Sequence, residues 1–152
     1  MSTNIEKILI ILLLAWAVVS STIAANYYLK YNSCVKDLEA FDRKTISVNI
    51  LIDYGNGSKT WFNNTIVSRN STLFSVLLSI SKVNYTSGAY GIFINSINGV
   101  SNKVTGKNCG YYWMWYYYDK ESKKWVMGPV GVDKWKLSEG DILKVVYQQV
   151  KW

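Results

Sequence analysis

Tyr111-Tyr112-Trp113-Met114-Trp115-Tyr116-Tyr117-Tyr118 is the stretch on which the fold turns: seven of its eight residues are aromatic. Aromatic side chains favour a pleated, half-buried backbone, so the stretch reads as a β-strand. Alternation puts Tyr111, Trp113, Trp115 and Tyr117 on one face and Tyr112, Met114, Tyr116 and Tyr118 on the other. Neither face is polar, so both need cover. A helix or a second sheet can supply one cover. The other must come from a ligand, a partner or a second core.

The segments around this strand supply a sheet and one helix. Thr45 to Asp53 alternates, with Ile46, Val48, Ile50 and Ile52 on one side and Ser47 and Asn49 on the other. Asp53-Tyr54-Gly55-Asn56-Gly57 is a turn, and Lys59 to Val67 returns as the second strand of a hairpin. Thr72 to Val83 is an amphipathic helix with Ser71 as N-cap. Leu73, Val76, Leu77 and Ile80 form its apolar face, and Ser75, Ser79 and Lys82 its polar stripe. Tyr90 to Ile97 is a strand closed by Asn98-Gly99. Trp125 to Met127 is a short strand, and Asp141 to Gln149 is the last. Strand, strand, helix, then several strands is an α+β order: a β-grasp-like mixed sheet with one packed helix over residues 45–152.

Ahead of that domain, Ile8 to Leu29 carries no charge. Its first 18 residues, Ile8 to Ala25, reach roughly 27 Å as a helix, close to the hydrocarbon thickness of a bilayer. No polar face exists, as a buried soluble helix would need. Residues 1–30 therefore read as an N-terminal transmembrane helix. A cleaved signal peptide is the alternative, because Thr22-x-Ala24 and Ile23-x-Ala25 resemble small-residue cleavage sites. Residues 31–44 read as a helical or extended stalk.

Four Asn-x-Ser/Thr sequons start at Asn56, Asn63, Asn70 and Asn84, and they point to a glycosylated, extracytoplasmic surface. The expected localisation is the cell membrane, single-pass, with the C-terminal domain outside, or secretion if the segment is cleaved. Cys34 and Cys109 are an even count, as an oxidised pair would be. One intramolecular Cys34–Cys109 disulfide is expected. A Cys34–Cys34 bridge between stalks and two reduced thiols are the alternatives.

The chain contains no histidine. That removes Ser-His and Cys-His nucleophile pairs, histidine metal sites and the usual near-neutral general base. Two cysteines cannot close a zinc site, and there is no P-loop or dinucleotide fingerprint. The carboxylate pairs Asp119/Glu121 and Glu139/Asp141 are better explained as turns than as a catalytic pair. No catalytic residue, no metal site and no cofactor are expected. The net charge is +7 but scattered. With the compartment against nucleic acid, it favours acidic glycans or lipid headgroups.

Several spaced elements agree in order with a known family. Tyr90-Gly91-Ile92-Phe93-Ile94-Asn95-Ser96-Ile97-Asn98-Gly99 is followed by Tyr112-Trp113-Met114-Trp115-Tyr116-Tyr117. Then come Gly131-Val132, Trp135 and Leu137-Ser138-Glu139-Gly140-Asp141-Ile142. This resembles the transcobalamin C-terminal-like domain, a β-grasp family mostly of unknown function. The resemblance covers about Thr45 to Tyr147. It departs where Asp119-Lys120 stands after the aromatic strand in place of the family's frequent Asn-Gly. In cobalamin carriers such a domain caps the corrinoid while a large helical domain supplies most contacts. The resemblance therefore implies a fold and a binding face, with cobalamin a cofactor by family likeness only.

Two functions follow from these observations. The first is a membrane-anchored, extracytoplasmic, non-enzymatic binding module. It would recognise a glycan, a corrinoid or a protein partner through an aromatic sheet face lined by Tyr111, Trp113, Trp115 and Tyr117, with Trp125 and Trp135 at its rim. The alternative is a structural surface protein whose domain self-associates.

Overall fold

The computed structural model describes residues 2–151. The chain divides into two compact units, Met1–Arg43 and Lys44–Trp152. The first unit lies on one continuous helix, α1 (Ser2–Lys44). It is long and apolar enough to cross a membrane, and its apolar window is unburied. The helix runs past the uncharged stretch, so the stalk residues are helical, as the lack of Gly or Pro there allows.

The second unit is a mixed sheet with a helix on one face. Its strands are β1 (Thr45–Asp53), β2 (Lys59–Ser68), β3 (Val83–Gly88), β4 (Gly91–Ile97), β5 (Val100–Ser101), β6 (Lys103–Gly106), β7 (Cys109–Asp119), β8 (Lys124–Met127) and β9 (Ile142–Lys151). The main sheet has the order β2-β1-β9-β7-β6, and β8 also pairs with β7. The central pair β1 and β9 is parallel; β1–β2 and β7–β9 are antiparallel. A parallel central pair between antiparallel flanks, with α2 (Leu73–Ile80) in the connection, is the β-grasp arrangement. A smaller sheet, β3-β4-β5, packs beside it. Its Asn98-Gly99 hairpin has both residues at positive φ, 49° and 87°, as a tight two-residue turn between twisted strands requires.

The helix is shorter than its periodicity predicts. Thr72, not Ser71, caps it: the Ser75 N–H donates to Thr72 Oγ1 at 3.3 Å, and the Thr72 N–H donates to Ser75 Oγ at 3.0 Å. At the other end Ser81 Oγ donates to the Leu77 carbonyl at 2.7 Å, and by Val83 the chain has entered β3 against β4. The pairing of β3 overrides three residues of helical pattern, because an eight-residue helix already buries Leu73, Val76 and Leu77.

These three side chains meet Ile46, Val48, Ile50 and Ile52 of β1, Leu143 and Val145 of β9, and Trp113 and Trp115 of β7 in one core. Helix α2 is pinned from its N-terminus by the connection before β9. The Leu73 N–H donates to the Trp135 carbonyl at 3.1 Å and the Phe74 N–H to the Val132 carbonyl at 3.0 Å. Two donors that a helix start leaves unpaired are thereby satisfied, and the connection is held over the sheet.

The expected Cys34–Cys109 bond is absent. Both cysteines are free, one in each unit. The Cys109 thiol is turned into its own hairpin, 3.4 Å from Thr105 Oγ1.

Two predictions follow from the packing. Leu77→Ser places a hydroxyl in the core and removes apolar contacts, at a cost of about 2–4 kcal/mol, whereas Ser79→Lys on the exposed stripe costs almost nothing. Equal thermal midpoints for the two variants would contradict this helix orientation. At Gly128 an added Cβ would lie 1.8 Å from Cε2 of the Trp115 indole. Gly128→Ala should therefore destabilise by about 1–3 kcal/mol and alter the near-UV circular dichroism of the tryptophans. An unchanged spectrum would show that the ring does not sit against this backbone.

Candidate functional site

Residue parity along β7 separates core from surface. Trp113 and Trp115 are only 5% and 8% exposed. Their indole N–H groups donate to the carbonyls of Val100 at 2.8 Å and Val130 at 2.9 Å. Burial of an indole with its donor satisfied is stable packing. The expected open face built on these two residues is therefore the core face. The missing cover comes from Ile94 and Ile97 of β4 and from Val132 and Leu137 in the connection before β9, which join α2 in closing it. That connection has no hydrophobic periodicity by which a sequence reading would find it.

The remaining expected residues fall at the ends of this core. Tyr111 stacks on Tyr147 with ring centres 5.7 Å apart, and Tyr147 in turn packs 5.4 Å from Trp113. Tyr117 stacks on Trp135 at 5.0 Å, with Trp115 at 5.2 Å from the same indole. The buried Trp135 Nε1 has no hydrogen-bond partner among the described residues. Thus the five fall into two ring groups inside or at the border of the core, Tyr111–Tyr147–Trp113 and Trp115–Trp135–Tyr117. Trp125 lies apart from them.

The opposite face is where aromatic surface remains. Tyr112, Met114, Tyr116 and Tyr118 are each half-buried. The strand register adds Lys144 of β9 opposite Tyr116, Gln148 opposite Tyr112, Met127 of β8 opposite Tyr116 and Trp125 opposite Tyr118. On the far side of β9, Leu51 of β1 stands opposite Lys144, and Trp61 of β2 opposite Leu51. Trp61 is 47% exposed and Met127 56%. Leu51 and Val146 are buried yet stand outside the main core cluster.

Lys144 is the centre of that face. Its Nζ lies 4.8 Å from the Tyr116 ring centre and 4.7 Å from that of Trp125, within cation–π range of both. Gln148 Nε2 donates to the Tyr116 hydroxyl at 2.6 Å and holds that ring in place. The Trp125 ring is set edge-on to Tyr118 at 5.5 Å. Burial pushes the Lys144 ammonium below its ordinary pKa; the field of Asp53 opposes this and that of Lys59 adds to it. Asp53 is itself paired with Lys59 at 3.4 Å.

Where β7 meets β4 and the connection before β9 lies a crevice of about 190 Å³, lined by the expected Trp113 and Trp115 as well as by Phe93, Met114, Met127 and Val130 among others. Phe93 packs 6.1 Å from Tyr112. Met114 and Met127 belong to both the crevice and the face, so the two are continuous.

The carboxylate pairs lock turns. Asp119 accepts from the N–H groups of Glu121 and Ser122 and from Ser122 Oγ at 2.6 Å, which lowers its pKa. Asp141 accepts from the Ser138 N–H at 2.9 Å, while burial raises its pKa. Glu139 accepts from the Ser47 N–H at 3.1 Å. All four sequon asparagines, Asn56, Asn63, Asn70 and Asn84, are exposed.

Comparison with known proteins agrees with this architecture. No curated protein matches the chain. A protein from Ruminococcus gnavus to which metal binding has been ascribed superposes with a TM-score of 0.52 at 19% identity, over 69% of this chain and 98% of that one. Haptocorrin in complex with Cbi superposes with a TM-score of 0.55 at 18% identity, over 71% of this chain and 25% of haptocorrin. The chain thus corresponds to about a quarter of the haptocorrin length, and at these identities the likeness is one of fold. A family model described as "Domain of unknown function (DUF4430)" matches residues 70–149, more than half of the sequence, and includes α2, the aromatic strand and most of β9. The chain therefore belongs to the DUF4430 family, and the resemblance to the transcobalamin C-terminal-like domain is supported.

Proposed function

We propose that the protein is a membrane-anchored, non-enzymatic binding module whose second unit stands outside the cell and recognises its ligand through the open face of the main sheet. One observation carries this reading. The core face is closed by α2, β4 and the connection before β9, whereas the opposite face carries half-buried aromatic rings around one lysine. Rings held by neighbours and left partly in solvent offer contact area at little ordering cost, as binding surfaces do.

The extracytoplasmic orientation is supported by the four exposed sequons and by α1 as a candidate span. A corrinoid does not fit as an enclosed ligand. The crevice, about 190 Å³, is below the roughly 300–1,000 Å³ of pockets that enclose drug-sized ligands. Its lining offers no histidine, since the chain has none. The open face is able to cover one side of a flat ligand and no more. For the metal binding ascribed to the Ruminococcus gnavus protein, no group of three or more Cys, Asp or Glu capable of holding an ion exists among the described residues.

Two measurements test the proposal. Protease added to intact cells should remove the second unit while leaving α1 in the membrane. Protection until the membrane is opened would reverse the orientation. For the face, the full chain in detergent micelles is titrated with a corrinoid and with neutral and acidic oligosaccharides, followed by tryptophan quenching. Trp125→Ala and Tyr116→Ala should weaken binding about tenfold with little change in thermal midpoint. Trp115→Ala should instead cost about 3–5 kcal/mol of stability. Binding that survives Trp125→Ala and Tyr116→Ala, or that falls only with the folded fraction, would remove the open face as the site.

A further inference from the structure

Lys144 holds a partly buried charge outside any ion pair, offset only by the field of Asp53. The ion pairs Lys59–Asp53 and Lys134–Asp133 do not include it. The acid whose field reaches it, Asp53, is engaged by Lys59 at 3.4 Å. Its companions are the rings of Tyr116 and Trp125, at 4.8 and 4.7 Å. Ring quadrupoles attract an ammonium but do not cancel its charge, and partial burial of that charge is unfavourable, in keeping with its lowered pKa. The rings and their hydrogen-bonded support also fix where the charge stands, because Gln148 holds Tyr116 and Tyr118 holds Trp125.

Resting on the reading that the open face is the binding site, we propose that it takes an acidic saccharide. Its sugar ring lies on the Tyr116, Tyr118 and Trp125 surface, and its carboxylate or sulfate meets the Lys144 ammonium. The juxtaposition selects this chemistry. A small inorganic anion would gain nothing from the rings, and a purely apolar ligand would leave the ammonium deprived of water and unpaired. A pyranose offers an apolar C–H face to aromatic rings and hydroxyls to the tyrosine hydroxyls and the Gln148 amide, and its acid substituent supplies the missing counter-charge. The net charge of +7 adds a long-range attraction for the same ligands.

The test uses the full chain in detergent micelles and four probes. They are an oligogalacturonate for carboxylate, a heparin-derived oligosaccharide for sulfate, a neutral cello-oligosaccharide, and polyglutamate as a polyanion without sugar. The expected result is that at least one acidic saccharide binds about tenfold tighter than both the neutral sugar and polyglutamate. Lys144→Met, which keeps the aliphatic stem, should abolish that preference, and Lys144→Arg should keep most of it. The thermal midpoint of Lys144→Met should stay within about 2 °C of the parent, which excludes unfolding as the cause. Whichever acidic probe loses affinity in Lys144→Met identifies the acid.

The proposal is overturned if polyglutamate or the neutral sugar binds as tightly as the acidic ones. It is also overturned if Lys144→Met binds them unchanged, or if no saccharide binds. Acidic binding lost in Trp125→Ala but kept in Lys144→Met would overturn the role of Lys144 while leaving the open face as the site. Binding kept in both variants would remove the face itself.

Discussion

Burial of Trp113 and Trp115 is the constraint on which the second unit depends. Two indoles on one face of β7 must be shielded and their N–H groups paired, and eight residues of helix are too few to do both. The chain meets the demand with three elements. Helix α2 supplies Leu73, Val76 and Leu77, β4 supplies Ile94 and Ile97, and the connection before β9 supplies Val132 and Leu137. The same connection caps the helix start through the Trp135 and Val132 carbonyls and accepts the Trp115 N–H at Val130. Gly128 is where the chain crosses the Trp115 ring, and only the absence of a side chain permits that approach. Removal of any of these contacts would expose an indole or leave a buried donor unpaired.

Much of this was legible in the amino acids. The alternation of Ile46, Val48, Ile50 and Ile52 marks β1, and the aromatic run marks β7; both strands are where the pattern puts them. The α+β order and the long apolar N-terminal helix also follow from pattern. What pattern could not supply was cover from segments without periodicity. Residues 128–137 show neither a period of two nor of 3.6, yet they bury Val132 and Leu137. Strand β3 was hidden because Val83-Asn84-Tyr85-Thr86-Ser87-Gly88 is polar and exposed, its pairing with β4 made through the backbone. These two omissions exchanged the faces of β7. The core closes over the face of Trp113 and Trp115, and the half-buried rings of the other face are Tyr112, Tyr116 and Tyr118, with Met114 among them.

The exchange changes the chemistry of the candidate site. The core-facing residues bring rings and indole donors that are already paired inside the protein. The outward-facing residues bring phenols, thioethers and, from the neighbouring strand, an ammonium. Lys144 and Gln148 sit at alternate positions of β9, where a sequence reading sees only the polar side of a half-buried strand. Their placement beside Tyr116 and Trp125 is a product of register, which follows once β7 and β9 pair.

The outer strand β2 has a consequence of its own. It ends the main sheet, and ten residues of strand with one unpaired side are a template on which another chain can add. Here the ladder is broken midway. Val48 pairs with Thr65 but Ile50 pairs with Phe62, so Asn63 and Asn64 together stand against Asn49. Asn64 adopts φ 50°, and its N–H is taken by Asn49 Oδ1 at 2.9 Å. Such a bulge twists the rim away from the flat geometry that stacking of further strands requires. A sugar chain on exposed Asn63 would stand at the same point. The sheet is thereby ended on its β2 side by shape, through a two-residue bulge in the strand itself.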